Sequence, residues 1–284
     1  LVTLALGMIL MCGCMGEEAP GGPPDASSAG DGGVEKGDPP DVPVLCYHYV
    51  LAKGEEKRFL AMHNDVFESH LVTLSRLGYT TVTLREVFDY IRGIGSLPPR
   101  PVVLTFDDGH YDFYENAYPL LAKYGMKSVA FINPGKVGTS GQEDGREVKY
   151  MSWRQLEDLV AQGLVDVESH TTNHKDIAAL DDPKELWEEI GVSKQMLEAR
   201  LGTTVSALAY PYGGAPNYAQ KAGAVLRKAG YRGAFTTHKG RLDLQNTDLA
   251  SDDYAYEMPR IWVHSTDSAA DLCQRLGEDC SEVL

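Results

Sequence analysis

The feature that most constrains the fold is an alternation of short apolar runs with amphipathic segments from about residue 42 onward. Residues 102–106 form a β-rich run typical of a buried strand, whereas Pro183–Leu201 has the length and the apolar spacing of a helix. Strands that alternate with helices favour a parallel sheet, because each crossover between parallel strands carries a helix. Six to eight such units in roughly 240 residues predict a single (β/α) barrel of the α/β class, with an open, doubly wound sheet as the alternative.

The same patterns locate the individual elements along the chain. Asp182 is the predicted N-cap of the 183–201 helix, which has Pro183 in its first turn and ends before Gly202. The predicted strands cover residues 44–47, 79–84, 102–106, 128–132, 164–168, 205–210, 232–236 and 259–263. The predicted helices cover residues 66–77, 84–91, 114–123, 152–162, 183–201 and 217–229.

Composition and charge narrow the class of protein. Hydrophobic residues make up 43% of the chain and charged residues 24%, which is ordinary for a globular protein and excludes a wholly disordered or multispanning membrane chain. Acidic residues outnumber basic ones by 41 to 26, giving a formal net charge of −15. Because nucleic-acid phosphates require a basic surface, nucleic acid is not an expected partner.

The N-terminal segment has the character of an export signal. Residues 1–11 are apolar and uncharged, but they are shorter than the roughly 20 residues needed to cross a bilayer. The sequence Met11-Cys12-Gly13-Cys14 that follows resembles a bacterial lipobox, in which Cys14 would carry a lipid. An ordinary cleaved signal with incidental cysteines is the alternative.

The segment that follows is predicted to be a tether. Gly and Pro occupy 11 of the 23 positions in residues 19–41, and such a segment buries too little apolar surface to fold. We therefore predict a lipoprotein signal in residues 1–14, a flexible tether in 15–41 and one catalytic domain in 42–284. The predicted location is the cell envelope, lipid-anchored at the outer membrane or cell surface, with the domain in the periplasm or outside the cell.

Three cysteines lie within the predicted domain. Cys46 belongs to an apolar run and is expected in a buried strand. In an oxidising compartment Cys273 and Cys280 could form a disulfide. The spacing alone leaves that pairing open.

The first of three polar clusters is Thr105-Phe106-Asp107-Asp108-Gly109, directly after a predicted strand. Adjacent carboxylates repel each other unless a cation holds them, so one Asp could bind a metal ion while the other acts as a base. A polar turn is the alternative, since Asp-Asp-Gly suits a turn.

The second cluster contains His170 and His174, just after predicted strand 164–168. Two histidines four residues apart can direct nitrogens to one ion. Unrelated surface or capping histidines are an equally good interpretation of the spacing.

The third cluster is Ala209-Tyr210-Pro211-Tyr212-Gly213-Gly214. Its Pro and Gly residues fix a backbone path that could direct an N–H group at a ligand. By itself the segment is more typical of a strand-ending turn. In a barrel all three clusters lie at one face, where active sites occur.

Taken together and in this order, the clusters resemble the motifs of the polysaccharide deacetylase family (NodB homology, carbohydrate esterase 4). The first family motif, TFDDG, is present as residues 105–109. The second, H-[ST]-x-x-H, is present from His170 to His174, and the third contains the pair Pro211-Tyr212. The resemblance implies a distorted (β/α) barrel of the NodB-homology type.

Other segments resemble one subgroup of that family, the deacetylases of poly-β-1,6-N-acetylglucosamine in biofilm matrices. Residues 43–48 (PVLCYH) are similar to the subgroup's opening motif, and residues 230–237 and 259–261 are similar to later segments. The resemblance covers roughly residues 42–265. It implies removal of acetyl groups from a polymer of N-acetylglucosamine.

The resemblance also implies roles for individual residues. Asp108, His170 and His174 match the family's metal ligands, and Asp107 matches its general base. The backbone N–H of Tyr212 matches the donor that stabilises the oxyanion. The ligand set suits one divalent ion, with zinc as the default and cobalt, nickel or manganese as alternatives.

The chain departs from the family pattern at two places. Many members carry an Arg where this chain has Ala209; we predict that Arg260 supplies that charge from another strand. The general acid of many members is a late His, for which His264 is the candidate. His48 is the second candidate.

Substrate contacts are predicted from the same motifs. Pro211, Tyr212 and Trp262 are the candidate sugar-binding residues, and the polar segment 138–150 is expected to border the cleft. Peptidoglycan and chitin-like oligomers are alternative substrates, and O-acetyl ester hydrolysis is an alternative reaction. A catalytically silent, carbohydrate-binding lipoprotein is the non-enzymatic alternative. Polysaccharide-export proteins are possible partners.

Overall fold

The computed structural model describes residues 41–56, 59–143, 145–244 and 251–283. The predicted signal segment with Cys14 and the predicted tether up to residue 40 lie outside them. No helix in the described ranges combines the length and apolarity of a membrane span.

The described elements alternate between strands and helices over most of the chain. The strands are β1 (Val44–Tyr47), β2 (Tyr49–Leu51), β3 (Ala61–His63), β4 (Thr80–Thr81), β5 (Pro101–Phe106), β6 (Ser128–Ile132), β7 (Ser140–Glu143), β8 (Arg146–Lys149), β9 (Val165–Ser169), β10 (Ala207–Ala209), β11 (Gly233–Lys239) and β12 (Met258–Trp262). The helices are α1 (Asn64–Arg76), α2 (Leu84–Ile91), α3 (Tyr118–Tyr124), α4 (Trp153–Gln162), α5 (Pro183–Leu201), α6 (Tyr218–Ala229), α7 (Asp252–Ala255) and α8 (Ala269–Leu276).

Seven parallel strands close into a barrel in the order β1-β12-β11-β10-β9-β6-β5. The ring closes because β5 also pairs with β1, with Val44 opposite Val103 and Tyr47 opposite Phe106. This pairing confirms the predicted (β/α) barrel and excludes the open sheet. Outside the ring, the short strand β4 pairs in parallel with the start of β5. β2 pairs with β3, and β7 and β8 form an antiparallel hairpin.

The barrel is distorted on the side that carries two of the motifs. β9 and β10 share a single register pair, Leu208 opposite Ser169. The register between β11 and β12 shifts between Phe235 and Lys239. Strand pairing is therefore least continuous beside the loops that follow β9 and β10.

Side chains on the strands alternate between the barrel interior and the surrounding helices. On β5, Val103 belongs to the inner apolar cluster, whereas Leu104 and Phe106 pack in the cluster that includes the helices. Asp107 continues the inward-facing series of Val103, so the first motif delivers a carboxylate to the interior. Phe88 of α2 lies against Gly233, the first residue of β11, at the opposite end of the barrel.

Most predicted elements match the structure, and the differences have local causes. Predicted strand 79–84 is reduced to β4, because Thr83 instead forms a capping box with Glu86 and begins α2. The predicted 114–123 helix begins as a π-helical turn over Phe113–Ala117 before α3. The β2–β3 pair, the β7–β8 hairpin, α7 and α8 were not predicted.

Two of the three cysteines in the predicted domain form a disulfide, and the third is buried in a strand. Cys273 of α8 is joined to Cys280 by a disulfide, with 6.1 Å between their Cα atoms. Cys46 is a free and fully buried thiol on β1. The disulfide fixes the segment after α8 to the helix.

A buried histidine makes the stability of the barrel depend on pH. His70 of α1 accepts a hydrogen bond from the Tyr47 hydroxyl at 3.3 Å and donates one to the Asp267 carbonyl at 3.1 Å. Burial lowers the pKa of His70 below its ordinary value of 6.5. Its stabilising effect is therefore complete above that pH and is lost as the pH falls through the lower, folded-state pKa.

We expect His70→Gln to flatten this pH dependence. Glutamine keeps a donor near the Asp267 carbonyl but does not titrate. As the pH falls below about 6.5, the free energy of unfolding should decrease more steeply for the native chain, by up to about 1.4 kcal/mol per pH unit. Urea unfolding across this range measures both slopes, and equal slopes would contradict the assignment.

Candidate active site

The three polar clusters converge at the carboxyl ends of β5, β9 and β10, around a cavity of about 700 Å³. The cavity lining includes seven residues predicted or weighed as site residues: His48, Asp107, Asp108, His170, His174, Tyr212 and Trp262. Parallel strands place their carboxyl ends together, which explains how motifs more than 100 residues apart meet.

Asp108, His170 and His174 direct their donor atoms at one point. Oδ1 of Asp108 lies 3.3 Å from Nε2 of His170 and 3.1 Å from Nε2 of His174. The three residues offer one carboxylate oxygen and two imidazole nitrogens within 4.8 Å of one another. This arrangement is a possible divalent metal site.

The donor set passes two tests of fit for a metal ion. A tetrahedral ion bound at about 2.0–2.1 Å separates neighbouring ligand atoms by roughly 3.3–3.4 Å, close to the distances between Asp108 and the histidines. His170 donates Nδ1–H to the Ala209 carbonyl at 2.8 Å, which in the neutral ring directs the Nε2 lone pair at a carboxylate. With a neutral ring, a cation between the lone pair and the carboxylate removes their mutual repulsion, as a bound metal ion would.

At least one residue in each of the three motifs adopts an unusual backbone conformation. Asp108, His174 and Tyr212 all have φ between 64° and 73°, in the left-handed region that non-glycine residues rarely adopt. Such conformations cost about 1–3 kcal/mol each and are concentrated at functional sites. Gly213 is required for close approach, because a Cβ there would lie 2.9 Å from the backbone nitrogen of Thr237.

Asp107 is held by a buried arginine from across the barrel. Nη1 and Nη2 of Arg260 each lie 2.7 Å from an oxygen of Asp107, and Arg260 is fully buried on β12. Burial alone would raise the pKa of Asp107, but Arg260, together with His170 and His48, outweighs it and holds this pKa below its usual value. Arg260 on β12 thus supplies beside Asp107 the positive charge that Ala209 cannot supply.

Asp107 also has neighbours on β1. The Cys46 thiol lies 3.7 Å from Oδ2 of Asp107, and a ring nitrogen of His48 lies within 4.8 Å of the carboxylate and thiol. Because Arg260 already pairs with both oxygens of Asp107, these three groups suit a metal ion less well than Asp108 and its two histidines do. His48 is half-buried in the cavity wall, with its ring centroid 5.1 Å from that of Trp262.

The remaining predicted residues are divided between the cavity and its surroundings. Tyr212 is 68% exposed and lines the cavity, as does Trp262. Pro211 is buried, and His264 is exposed with its ring centroid 6.5 Å from that of Trp262. Neither Pro211 nor His264 is among the described residues that line the cavity.

The β7–β8 hairpin forms one wall of the cavity, as predicted for residues 138–150. Gln142, Glu143 and Tyr150 are among the lining residues. Phe59, from the segment between β2 and β3, also lines the cavity and is 72% exposed. Sequence patterns did not single out Phe59, Glu143 or Tyr150, because each lies in a polar segment without a motif.

Comparison with known proteins agrees with the site. Residues 95–234 match the family model for polysaccharide deacetylase. The chain is 28% identical over 202 residues to the YxkH protein of Bacillus subtilis, covering 71% of this chain and 66% of YxkH, just under two thirds. It is 27% identical over 234 residues to a poly-beta-1,6-N-acetyl-D-glucosamine N-deacetylase of Staphylococcus aureus, covering 80% of this chain and 76% of that protein.

A solved structure extends the similarity to the whole barrel. IcaB from Ammonifex degensii is 29% identical, with a TM-score of 0.65, and the alignment covers 84% of this chain and 97% of IcaB. The predicted resemblance is therefore confirmed: residues 95–234 of this chain match the polysaccharide deacetylase family. The family match includes all three motifs but neither His48 nor Arg260.

Proposed function

We propose that this chain is a metal-dependent N-deacetylase of poly-β-1,6-N-acetylglucosamine. The observation that carries the proposal is the juxtaposition, in one cavity, of a candidate base and a candidate metal site. Asp107, paired with Arg260, adjoins the group formed by Asp108, His170 and His174. A carbohydrate-binding module has no need for this combination.

The metal would be held by Asp108, His170 and His174, with positions left open for water and substrate. A bound divalent ion lowers the pKa of a coordinated water and polarises a carbonyl group. Zinc is the default for one carboxylate and two imidazoles, and cobalt, nickel and manganese are the alternatives.

The other residues have roles that follow from their positions. Asp107 accepts a proton from the attacking water, and Arg260 keeps its carboxylate ionised and oriented. Among the described residues, no hydrogen bond uses the backbone N–H of Tyr212. This N–H group is therefore free to donate to the oxyanion of the tetrahedral intermediate. When the C–N bond breaks, acetate and the amine of glucosamine are released.

The leaving nitrogen must be protonated, because an amide anion is too basic to leave. We propose His48 as the general acid, since it lines the cavity near Asp107, whereas His264 lies outside the lining. Burial lowers the pKa of His48, and the carboxylates of Asp107 and Asp108 oppose that shift. Trp262 and Tyr212 are proposed to stack on sugar rings.

The proposed cellular context is an exported, lipid-anchored enzyme. The Cys273–Cys280 disulfide favours an oxidising compartment. The lipidation of Cys14 and an association with polysaccharide-export proteins remain predictions from the sequence.

Acetate release tests the proposal. With zinc, the purified chain is expected to release acetate from poly-β-1,6-N-acetylglucosamine faster than from chitin oligomers, peptidoglycan or O-acetylated sugars. Chelation should abolish release, and added zinc should restore it. Release that persists after complete chelation would overturn metal dependence. Zinc binding without release from any acetylated substrate would favour the silent binding protein.

A further inference from the structure

His110, two residues after Asp108, is enclosed by two tyrosines. Its ring lies 3.9 Å from the Tyr49 ring, centroid to centroid, with 15° between the planes, and 5.2 Å from the Tyr150 ring with 27° between the planes. Only 1% of His110 is exposed. Stacking against two tyrosine rings fixes the plane of the imidazole, whose two nitrogens face in different directions.

One nitrogen of His110 is bound to the β7–β8 hairpin. Nε2 donates to Oε2 of Glu143 at 3.1 Å, and the hydroxyls of Tyr49 and Tyr150 donate to the same carboxylate. Burial raises the pKa of Glu143, but these hydrogen bonds and the electrostatic attraction of His110 outweigh it and lower the pKa to about 2. Glu143 is therefore an ionised acceptor that ties both tyrosines and the imidazole together.

The other nitrogen of His110 faces the candidate metal site. Nδ1 lies 3.9 Å from Oδ2 of Asp108, which is too long for a hydrogen bond, and it is buried without a hydrogen-bond partner among the described residues. A buried polar atom without a hydrogen-bond partner is energetically unfavourable. The opposite oxygen of Asp108, Oδ1, is the one directed at His170 and His174.

We propose that His110 and Glu143 are positioning residues that fix the Asp108 carboxylate and so set the affinity of the chain for its metal ion. His110 limits rotation of the carboxylate from its Oδ2 side, and Glu143 fixes His110. The hairpin that lines the substrate cavity is thereby a structural part of the metal site. This inference rests on the proposed metal-dependent function.

Zinc affinity of matched variants tests the inference. Hydrogen-bonded partners of metal ligands typically contribute 10–100-fold to metal affinity. Because His110 lies against Asp108 without a hydrogen bond, Glu143→Met and His110→Phe should each weaken zinc binding by about tenfold, the lower end of that range. Glu143→Gln keeps an acceptor for Nε2–H and should lose less. Glu147→Met, an exposed change on the same hairpin, should bind zinc like the native chain. Competition with a chromophoric chelator gives each dissociation constant.

Two further measurements separate positioning from folding and test the connection between the residues. Thermal unfolding of the metal-free chains should be similar for Glu143→Gln, Glu147→Met and the native chain, and Glu147→Met should also retain kcat at saturating zinc. Because Glu143 acts through His110, adding Glu143→Met to His110→Phe should cause little further loss.

The possible failures are distinguishable. Native zinc affinity in both Glu143→Met and His110→Phe would overturn the positioning role while leaving the deacetylase proposal intact. An equal loss of zinc affinity in Glu147→Met would show that the effect comes from the hairpin as a whole. That result would also overturn the positioning role of Glu143 and His110. A native chain that binds no more zinc than Asp108→Asn would overturn the metal-dependent function and this inference with it.

Discussion

Asp107→Asn is expected to lower kcat for acetate release by about 10²–10⁴-fold, the usual contribution of a general base. Asparagine has nearly the same shape but cannot accept the proton of the attacking water. Asp107 is not one of the three candidate metal ligands, so zinc affinity should be retained. Steady-state acetate release and zinc titration of the same preparation measure the two properties.

The substitution also affects stability, and this effect must be separated from catalysis. Arg260 is fully buried and pairs with both oxygens of Asp107. Removing one partner of such a pair typically costs about 3–5 kcal/mol. The double variant Asp107→Asn with Arg260→Met removes both charges, so it should recover much of the stability while remaining inactive. Near-native kcat in the folded single variant would exclude Asp107 as the base.

The sequence predicted the elements that depend on local patterns. Pro183–Leu201 and Ser128–Ile132 were predicted with the bounds that the structure has, because capping residues and apolar spacing act within a few positions. The three motifs were also correctly expected to meet, since the carboxyl ends of parallel strands share one face. The closed barrel was predicted from the number of strand–helix units, and the pairing of β1 with β5 confirms it.

Features that depend on distant contacts were less accessible. In the sequence only its charge distinguishes Arg260 as a partner for Asp107. The contact between the two side chains requires that β12 lies beside β1 and that β1 lies beside β5. The role of segment 138–150 was limited to bordering the cleft, because nothing in the sequence connects Glu143 with His110. The left-handed φ of Asp108 likewise has no sequence signal, since non-glycine residues seldom adopt it.

The two candidate general acids can be distinguished by the same substitution at each position. His48→Gln is expected to lower kcat for N-acetyl release by about 10²–10⁴-fold, because the imidazole lies in the cavity wall within 4.8 Å of Asp107. His264→Gln should leave kcat nearly unchanged, since the exposed His264 is not among the described lining residues. Acetate release from the polymer under saturating zinc compares them directly.

The choice of leaving group makes this test specific for acid catalysis. An acetate ester of 4-nitrophenol has a leaving group that departs without a proton, so it needs Asp107 but no general acid. For this ester the loss in His48→Gln should therefore be much smaller than for the amide, whereas Asp107→Asn should impair both reactions. If His48→Gln lost both activities equally, His48 would position the substrate or the base. If His264→Gln lost amide hydrolysis alone, the acid would be His264 and the loop after β12 would have to move into the cavity during catalysis.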